Sequence, residues 1–298
     1  MRSMRNYAML FGLLFATSIG FAQDDNTDDT QDSGQSNIQQ YTPSKLIGKG
    51  QWDIKWFNNL YTQTESTFTE GREPRQTFFT STFEIYTGVG ENKRWNVGVI
   101  ARIRSNVVND RSALDVFSFD GAEDARSGFT AFAPSVKFVP FAKLSNFSIQ
   151  SSIFIPLIDN ETENTFNVFL DQNGFVWQNR LFYDYTFPGG DWQLFSELTT
   201  ELNFGDEDES FANNSLNLNP GLFLSYFPSA NFTVLVLAQH SQRLDLGNDF
   251  TQNFTALGGG AKFQLSKALN LELLYTNFVR GENTGLGQTF NIGLRGIF

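Results

Sequence analysis

The sequence predicts an all-β fold, a transmembrane antiparallel β-barrel of about twelve strands formed by residues 50–298. Three observations favour this fold. Apolar and polar residues alternate along segments of roughly ten or more residues, as in strands with lipid on one side and a polar lumen on the other. The connections between these segments are alternately short and long. Aromatic residues gather at the segment ends, where a membrane would meet water.

The alternation is clear in the first predicted strand. Trp52, Ile54 and Trp56 share one face, and Asp53 and Lys55 share the other. Successive side chains of a strand point to opposite faces, so one face of this strand is apolar and the other is charged. The pattern recurs along the chain to the C-terminus.

The connections after odd-numbered segments are long and polar, whereas those after even-numbered segments are short. The long ones are about 62–76, 105–127, 158–173, 205–215, 243–250 and 281–286. The short ones are about 90–93, 140–146, 188–191, 228–231 and 266–268. Short periplasmic turns and longer extracellular loops are typical of membrane barrels, whereas a soluble β-sandwich has no reason to sort its loops in this way.

The N-terminal residues predict export. Arg2 and Arg5 precede an uncharged apolar run over residues 7–19, and small residues follow, so residues 1–22 are predicted to be a cleaved signal peptide. The run is too short for a membrane-spanning helix, which needs roughly 20 apolar residues. Residues 23–49 are predicted to be an acidic, disordered periplasmic leader that precedes the barrel.

The composition excludes several classes of function. Without Arg2 and Arg5, 19 of the 21 basic residues remain against 32 acidic ones, a formal net charge of −13. Such a chain repels nucleic acid, so no nucleic-acid partner is expected. The absence of cysteine excludes disulfides, thiolate metal sites and lipidation at a cysteine, and a single histidine leaves little scope for histidine chemistry.

The C-terminal residues resemble the assembly signal of bacterial outer-membrane β-barrel proteins. Asn291, Gly293 and Phe298 occupy the polar, glycine and terminal aromatic positions of that signal, while Gly296 stands where a hydrophobic residue is preferred. The resemblance implies insertion by the outer-membrane assembly machinery and a location in the outer membrane of a Gram-negative-type bacterium, with outer-membrane lipid around the barrel. The resemblance is to the class of outer-membrane β-barrels as a whole, and it identifies no subfamily.

Charged residues on the predicted inner face are the main candidates for a functional site. They would line the lumen and select solutes by charge. The set is Glu84, Arg102, Arg104, Lys137, Arg180, Asp184, Glu197, Glu201, Lys262, Glu272, Arg280 and Arg295.

The same charges could instead neutralise one another in a packed lumen. In predicted strands six and seven, Arg180 lies opposite Thr199, with Glu197 and Glu201 diagonal to it and within reach of a long side chain. Barrel size leaves the choice open, because about eight strands are filled by side chains and sixteen or more leave a channel.

The sequence therefore predicts a passive porin-like channel for small solutes, without a cofactor. The main alternative is a non-conducting barrel that docks partner proteins through loops 105–127 and 158–173 or through the leader. A third class, the outer-membrane lipid hydrolases, is disfavoured. Those enzymes place a catalytic His and Ser two residues apart on one strand face, but here His240 is followed by Ser241 on the opposite face and by Gln242.

No metal site is expected. A histidine-based site would need partners that the chain lacks. The acidic run at 206–209 starts like a calcium-binding loop, but Phe211 stands where the sharp turn of such a loop needs glycine.

Overall fold

The computed structural model describes residues 41–206, 209–247 and 249–298. Within these ranges, twelve antiparallel strands close into one barrel, and two short strands form a separate two-stranded sheet. The predicted fold class and strand number are confirmed. The described residues include no helix that is long and apolar enough to cross a membrane. The predicted signal peptide and residues 23–40 of the predicted leader lie outside the described residues.

Each barrel strand pairs with its neighbours along the chain. In chain order the strands are β1 (Trp52–Ser66), β2 (Gln76–Val89), β3 (Trp95–Val107), β4 (Ala125–Phe138), β5 (Phe147–Pro156), β6 (Thr162–Glu163), β7 (Val168–Phe169), β8 (Val176–Thr186), β9 (Trp192–Asn203), β10 (Ser215–Ser229), β11 (Phe232–Asp245), β12 (Gln252–Gln264), β13 (Leu269–Glu282) and β14 (Gly285–Ile297). The short strands β6 and β7 form a hairpin, so β5 pairs with β8 in the barrel wall.

The first and last barrel strands close the wall. β1 pairs with β14 from Asp53 opposite Ile297 up to Ser66 opposite Gly285. Beyond the first of these pairs, Trp52 and Phe298 exchange two backbone hydrogen bonds of 2.9 Å. Closure is required because lipid offers no hydrogen-bond partners to an open strand edge.

The wall has an apolar outer face and a mostly polar inner face. On the outside, Trp52 is 48% exposed and Ile292 51%. Large apolar surface of this kind needs lipid around it. On the inside, Asn106 and Thr233 are buried. The alternation predicted for the first strand is therefore present in the structure.

One predicted inward residue, Arg280, lies on the outer face. The pairing of β12 with β13 changes from Ala256 opposite Phe278 to Thr255 opposite Arg280, so Val279 is an extra residue. Such a β-bulge reverses the alternation beyond it. Arg280 therefore shares the side of Thr255, whose hydroxyl bonds the ring of the outward His240 at 3.0 Å. Alternation counted along the sequence misplaces Arg280 because it does not include the bulge.

The two longest loops fold in opposite directions. Residues 108–124 cover the outer face of the wall, where Val116 of the short 3₁₀-helix Ala113–Phe117 is fully buried and the Phe117 ring meets the Phe79 ring edge-on at 4.9 Å. Residues 157–175, which include β6 and β7, fold into the barrel instead. The predicted long loop at 281–286 is a turn of two residues, because β13 and β14 extend further than expected.

The closing register can be tested with cysteine pairs, because the chain has no native cysteine. Asn59 and Asn291 are direct partners across β1 and β14, and their side chains share a 2.6 Å hydrogen bond on the inner face. The Asn59→Cys/Asn291→Cys protein should form a disulfide under mild oxidation, since directly opposed residues meet the distance that a disulfide needs. A gel shift that reductant reverses would report it.

The matched control is Asn59→Cys/Phe290→Cys, in which the second cysteine faces lipid. This pair should remain reduced. Equal cross-linking of both pairs would contradict the register of the closing strands.

Candidate functional site

The lumen is the candidate functional site, and it has three parts. We call residues 41–49 the closing segment; they lie in the mouth of the barrel on the side of the short turns. Above it is the lower lumen, the narrow space around Arg180 and Arg295. Nearer the long loops is the upper cavity, the larger space around Arg102 and Arg243.

The closing segment is packed against the inner wall rather than free in the periplasm. Tyr41 and Ile47 are 5% exposed, and Ser44 is fully buried. The Thr42 hydroxyl donates to the side-chain oxygen of Gln193 at 3.2 Å. The predicted leader thus includes, in residues 41–49, a part with a defined conformation inside the barrel.

Side chains of the wall hold the backbone of the closing segment. Asn96 bonds Ile47 twice, accepting from its N–H at 3.1 Å and donating to its carbonyl at 2.9 Å. Arg295 donates to the Tyr41 carbonyl at 2.6 Å. These bonds satisfy backbone groups that lack a strand partner, which buried peptide groups require.

A lysine and an aspartate of the wall complete this attachment. The Lys137 ammonium donates to the carbonyl of Lys45 at 3.2 Å and to that of Pro43. Asp184 accepts from the Ser44 hydroxyl and lies 3.6 Å from the Lys45 ammonium. With Arg295, three of the predicted lumen charges therefore bind the chain's own closing segment.

Gly88 provides the space for the closing segment. It lies opposite Asn96 on the inner wall, and Lys49 forms an isolated bridge with it. A Cβ on Gly88 would collide with the Gly48 carbonyl, and no atom outside the closing segment is among its nearest neighbours. Glycine is needed here for the close approach of two backbones.

The lower lumen is crossed by an ion-pair network. The Arg180 guanidinium lies 2.8 Å from Glu197 on the adjacent strand and 3.4 Å from Glu84 on β2. Because β2 and β8 are separated by three strands, the second contact spans the interior. Arg295 pairs with Asp53 at 2.6 Å. The remaining cavity is about 30 Å³, which is roughly the volume of one water molecule.

The upper cavity is larger, about 340 Å³. The inward loop 157–175 forms part of the cavity lining. Its Asp171 lies 3.6 Å from Arg102 and 3.3 Å from Arg104. Asn106 secures the same loop by donating to the Phe169 carbonyl at 2.6 Å. The cavity is therefore bounded partly by strands and partly by a loop that ion pairs hold in place.

Solved structures of other proteins share the fold of this barrel. No protein-family model matches the chain, and no curated protein matches its sequence. The COG4313 outer membrane channel from Pseudomonas putida F1 is similar in structure, with a TM-score of 0.65 at 11% identity over 86% of this chain and 98% of that chain. The β domain of the Bordetella autotransporter BrkA has a TM-score of 0.56 at 13% identity over 83% and 98%. This chain has the fold of an outer-membrane β-barrel.

The inner wall of this outer-membrane barrel carries eleven of the twelve predicted charges, all except Arg280. The structure brings them together in two groups. Those of the lower lumen and its mouth are Glu84, Lys137, Arg180, Asp184, Glu197, Lys262, Glu272 and Arg295. Those of the upper cavity are Arg102, Arg104 and Glu201.

Four charged residues that line the two lumen spaces are absent from the predicted set. Asp53 and Lys55 both lie on the polar face of the first strand, so the sequence contains a signal for them. Arg243 continues the inward alternation of Ser241, but it lies beyond the predicted end of its strand. Asp171 belongs to a loop, and no local pattern indicates that the loop enters the barrel.

The histidine lies apart from the lumen. His240 is on the outer face, whereas Ser241 bonds Asn219 at 2.6 Å on the inner face. The paired His and Ser of the lipid hydrolases are not reproduced at this position. Among the described residues, no group of three or more His, Asp or Glu side chains is arranged to hold a metal ion.

The pair Asp53–Arg295 can be tested by a double-mutant cycle. Asp53→Asn and Arg295→Gln should each destabilise the folded barrel, because each leaves one charge without its partner in a largely enclosed space. The double variant should lose less than the sum, with a coupling energy of about 1 kcal/mol or more. The fraction of folded, heat-modifiable protein across a urea series measures it, and additive losses would contradict the pairing.

Proposed function

We propose that this outer-membrane barrel is a passive channel for small solutes, and that the closing segment blocks its periplasmic end. The observation that supports this most is the arrangement along the lumen. A cavity of about 340 Å³ lies above a constriction in which a space of only about 30 Å³ remains. The constriction consists of side chains and of the closing segment. A path could therefore open without the parting of any two barrel strands.

The attachment of the closing segment is suited to reversible release. Its bonds run mainly to side chains such as Asn96, Lys137 and Arg295 rather than to a strand edge. A neutral hydrogen bond of this kind contributes about 1 kcal/mol net and one from a charged donor about 1.5–3 kcal/mol, because water replaces it when it breaks. Release of the segment thus costs far less than the separation of paired strands.

Charged side chains on the inner wall suit a polar path. They hold water in the lumen and attract or repel ions there, without any covalent chemistry. The similar Pseudomonas putida protein is described as an outer membrane channel, which agrees with this role.

A second candidate is a non-conducting barrel that docks another protein. The observation that favours it is the outward loop 108–124, where Leu114 is 68% exposed and Phe119 50%. Apolar side chains on a loop are suited to a partner surface. Conductance separates the two candidates, because a docking barrel has no need to open.

The closing segment predicts how conductance will change. In planar bilayers, the mature protein should show small or brief current steps. A variant without residues 23–49 should show steps that are several-fold larger and longer, because an obstruction is removed while every barrel strand remains. Gly88→Ala should have the same effect in the full mature chain, since the added Cβ displaces only the closing segment.

The matched control is Gly221→Ala, another inward glycine whose added Cβ would meet only movable side chains of Phe223 and Gln239. It should conduct like the unaltered protein. Heat-modifiable migration verifies that each variant is folded and inserted. Equal currents from all four proteins would contradict the closure, and silent bilayers containing inserted protein in every case would contradict the channel.

A further inference from the structure

The lining of the upper cavity is positive although the chain is acidic. The formal net charge of the whole sequence is −11. Around the upper cavity, three arginines face two carboxylates: Arg102, Arg104 and Arg243 against Asp171 and Glu201. The wall charges of the lower lumen and its mouth are balanced: Lys55, Lys137, Arg180, Lys262 and Arg295 lie with Asp53, Glu84, Asp184, Glu197 and Glu272. A lining of one sign in a narrow space concentrates ions of the other sign.

The carboxylates of the upper cavity are already engaged. Asp171 lies between Arg102 and Arg104, within 3.6 Å of both. Glu201 accepts hydrogen bonds from Gln178 at 2.9 Å and from Asn217 at 3.1 Å. Neither acid contacts the third arginine.

Arg243 is that third arginine. In the described part of the chain, no carboxylate lies within 4.0 Å of its side-chain nitrogens, and its buried Nε has no acceptor. Its guanidinium lies 5.2 Å from the centre of the Phe211 ring and donates one long bond, 3.4 Å, to the Phe211 carbonyl. Glu161 and Glu201 attract it only from a greater distance. A desolvated guanidinium of this kind favours an anionic ligand.

The neighbours of Arg243 would complete a carboxylate site. Asn217 and Gln252 are its partners in the two adjoining strands, and both line the cavity. Amide groups beside a guanidinium supply further donors to a carboxylate. The Asn217 amide donates one N–H to Glu201 at 3.1 Å and the Gln252 amide one to the Asn283 carbonyl at 3.0 Å, so each has a second N–H for a ligand.

Part of the cavity surface is apolar, although Gln172 and Asn203 also line it. Phe154, Phe169, Val176 and Phe211 line it together with the charged groups. Aromatic side chains of this kind bury the hydrocarbon part of a ligand. A volume of about 340 Å³ is near the lower end of the range for ligand pockets, roughly 300–1,000 Å³, so the ligand is small.

We infer that the upper cavity binds small organic carboxylates with an apolar or aromatic body, and that Arg243 binds their carboxylate group. The inference rests on the proposed channel function, to which it adds the class of solute. The carboxylate meets Arg243 with Asn217 and Gln252 beside it, and the body lies against the phenylalanine side chains.

Benzoate is a suitable probe, and its binding to the purified, refolded protein can be measured by calorimetry without any current. The protein should bind benzoate, and Arg243→Met should weaken binding at least tenfold because the cationic partner is lost. Arg243→Lys should restore part of the affinity, since the charge returns without the planar guanidinium. Benzyl alcohol, which has the ring without the charge, should bind much more weakly than benzoate.

The matched control is Arg280→Met, which removes an arginine from the outer face and should leave benzoate binding unchanged. Heat-modifiable migration confirms that each variant is folded. Equal benzoate affinity in the Arg243→Met protein would overturn the assignment of Arg243. Equal affinity for benzyl alcohol would overturn the requirement for a carboxylate, and equal affinity for inorganic phosphate would overturn the apolar subsite.

The outcomes also separate this inference from the channel proposal. Benzoate binding to a barrel that never conducts would contradict passive transport and retain the binding site. Conductance without benzoate binding would support the channel and overturn the carboxylate site.

Discussion

Closure of the β-barrel is the constraint on which the other features of this structure depend. A strand in lipid has no water with which to satisfy its N–H and C=O groups, so the last strand must pair with the first. The pairing of β1 with β14 meets this requirement. Closure then assigns every second side chain to an enclosed lumen, and the character of those side chains determines what the protein can do.

A twelve-strand barrel lies between the sizes whose lumen is filled by side chains and those that leave an open channel. This chain closes the lower part with residues 41–49 and with the Arg180 network, and it narrows the upper part with loop 157–175. Ion pairs in such surroundings contribute little net stability, because desolvation offsets much of their attraction. Together with hydrogen bonds from Asn96 and Asn106, they fix the positions of the closing segment and of the loop.

Most of the fold and much of the lumen lining can be predicted from the sequence. Alternation in residues such as Trp52, Asp53 and Ile54 is a local signal, and it correctly assigns inner and outer faces wherever a strand is regular. It fails at Arg280, because the unpaired Val279 reverses the faces, and such a bulge depends on pairing between strands.

The rest of the site depends on contacts between distant parts of the chain. Asp171 enters the lumen because Arg102 and Arg104 attract it, although about seventy residues separate them along the chain. No local pattern in the closing segment predicts its conformation, which depends on Asn96 and Lys137 of the wall as partners. Arg243 follows the inward alternation, but turn residues near the end of β11 obscure how far that strand extends.

The accessibility of a single cysteine at position 44 tests the central claim, that the closing segment lies inside the barrel, most directly. Ser44 is fully buried against Asp184, whereas Gly50 is exposed at the start of the wall, and the chain has no other cysteine. In membrane-inserted protein treated with a maleimide from the periplasmic side, Ser44→Cys should react at least tenfold more slowly than Gly50→Cys, and both should react alike after unfolding. Equal rates in the folded protein would contradict the account.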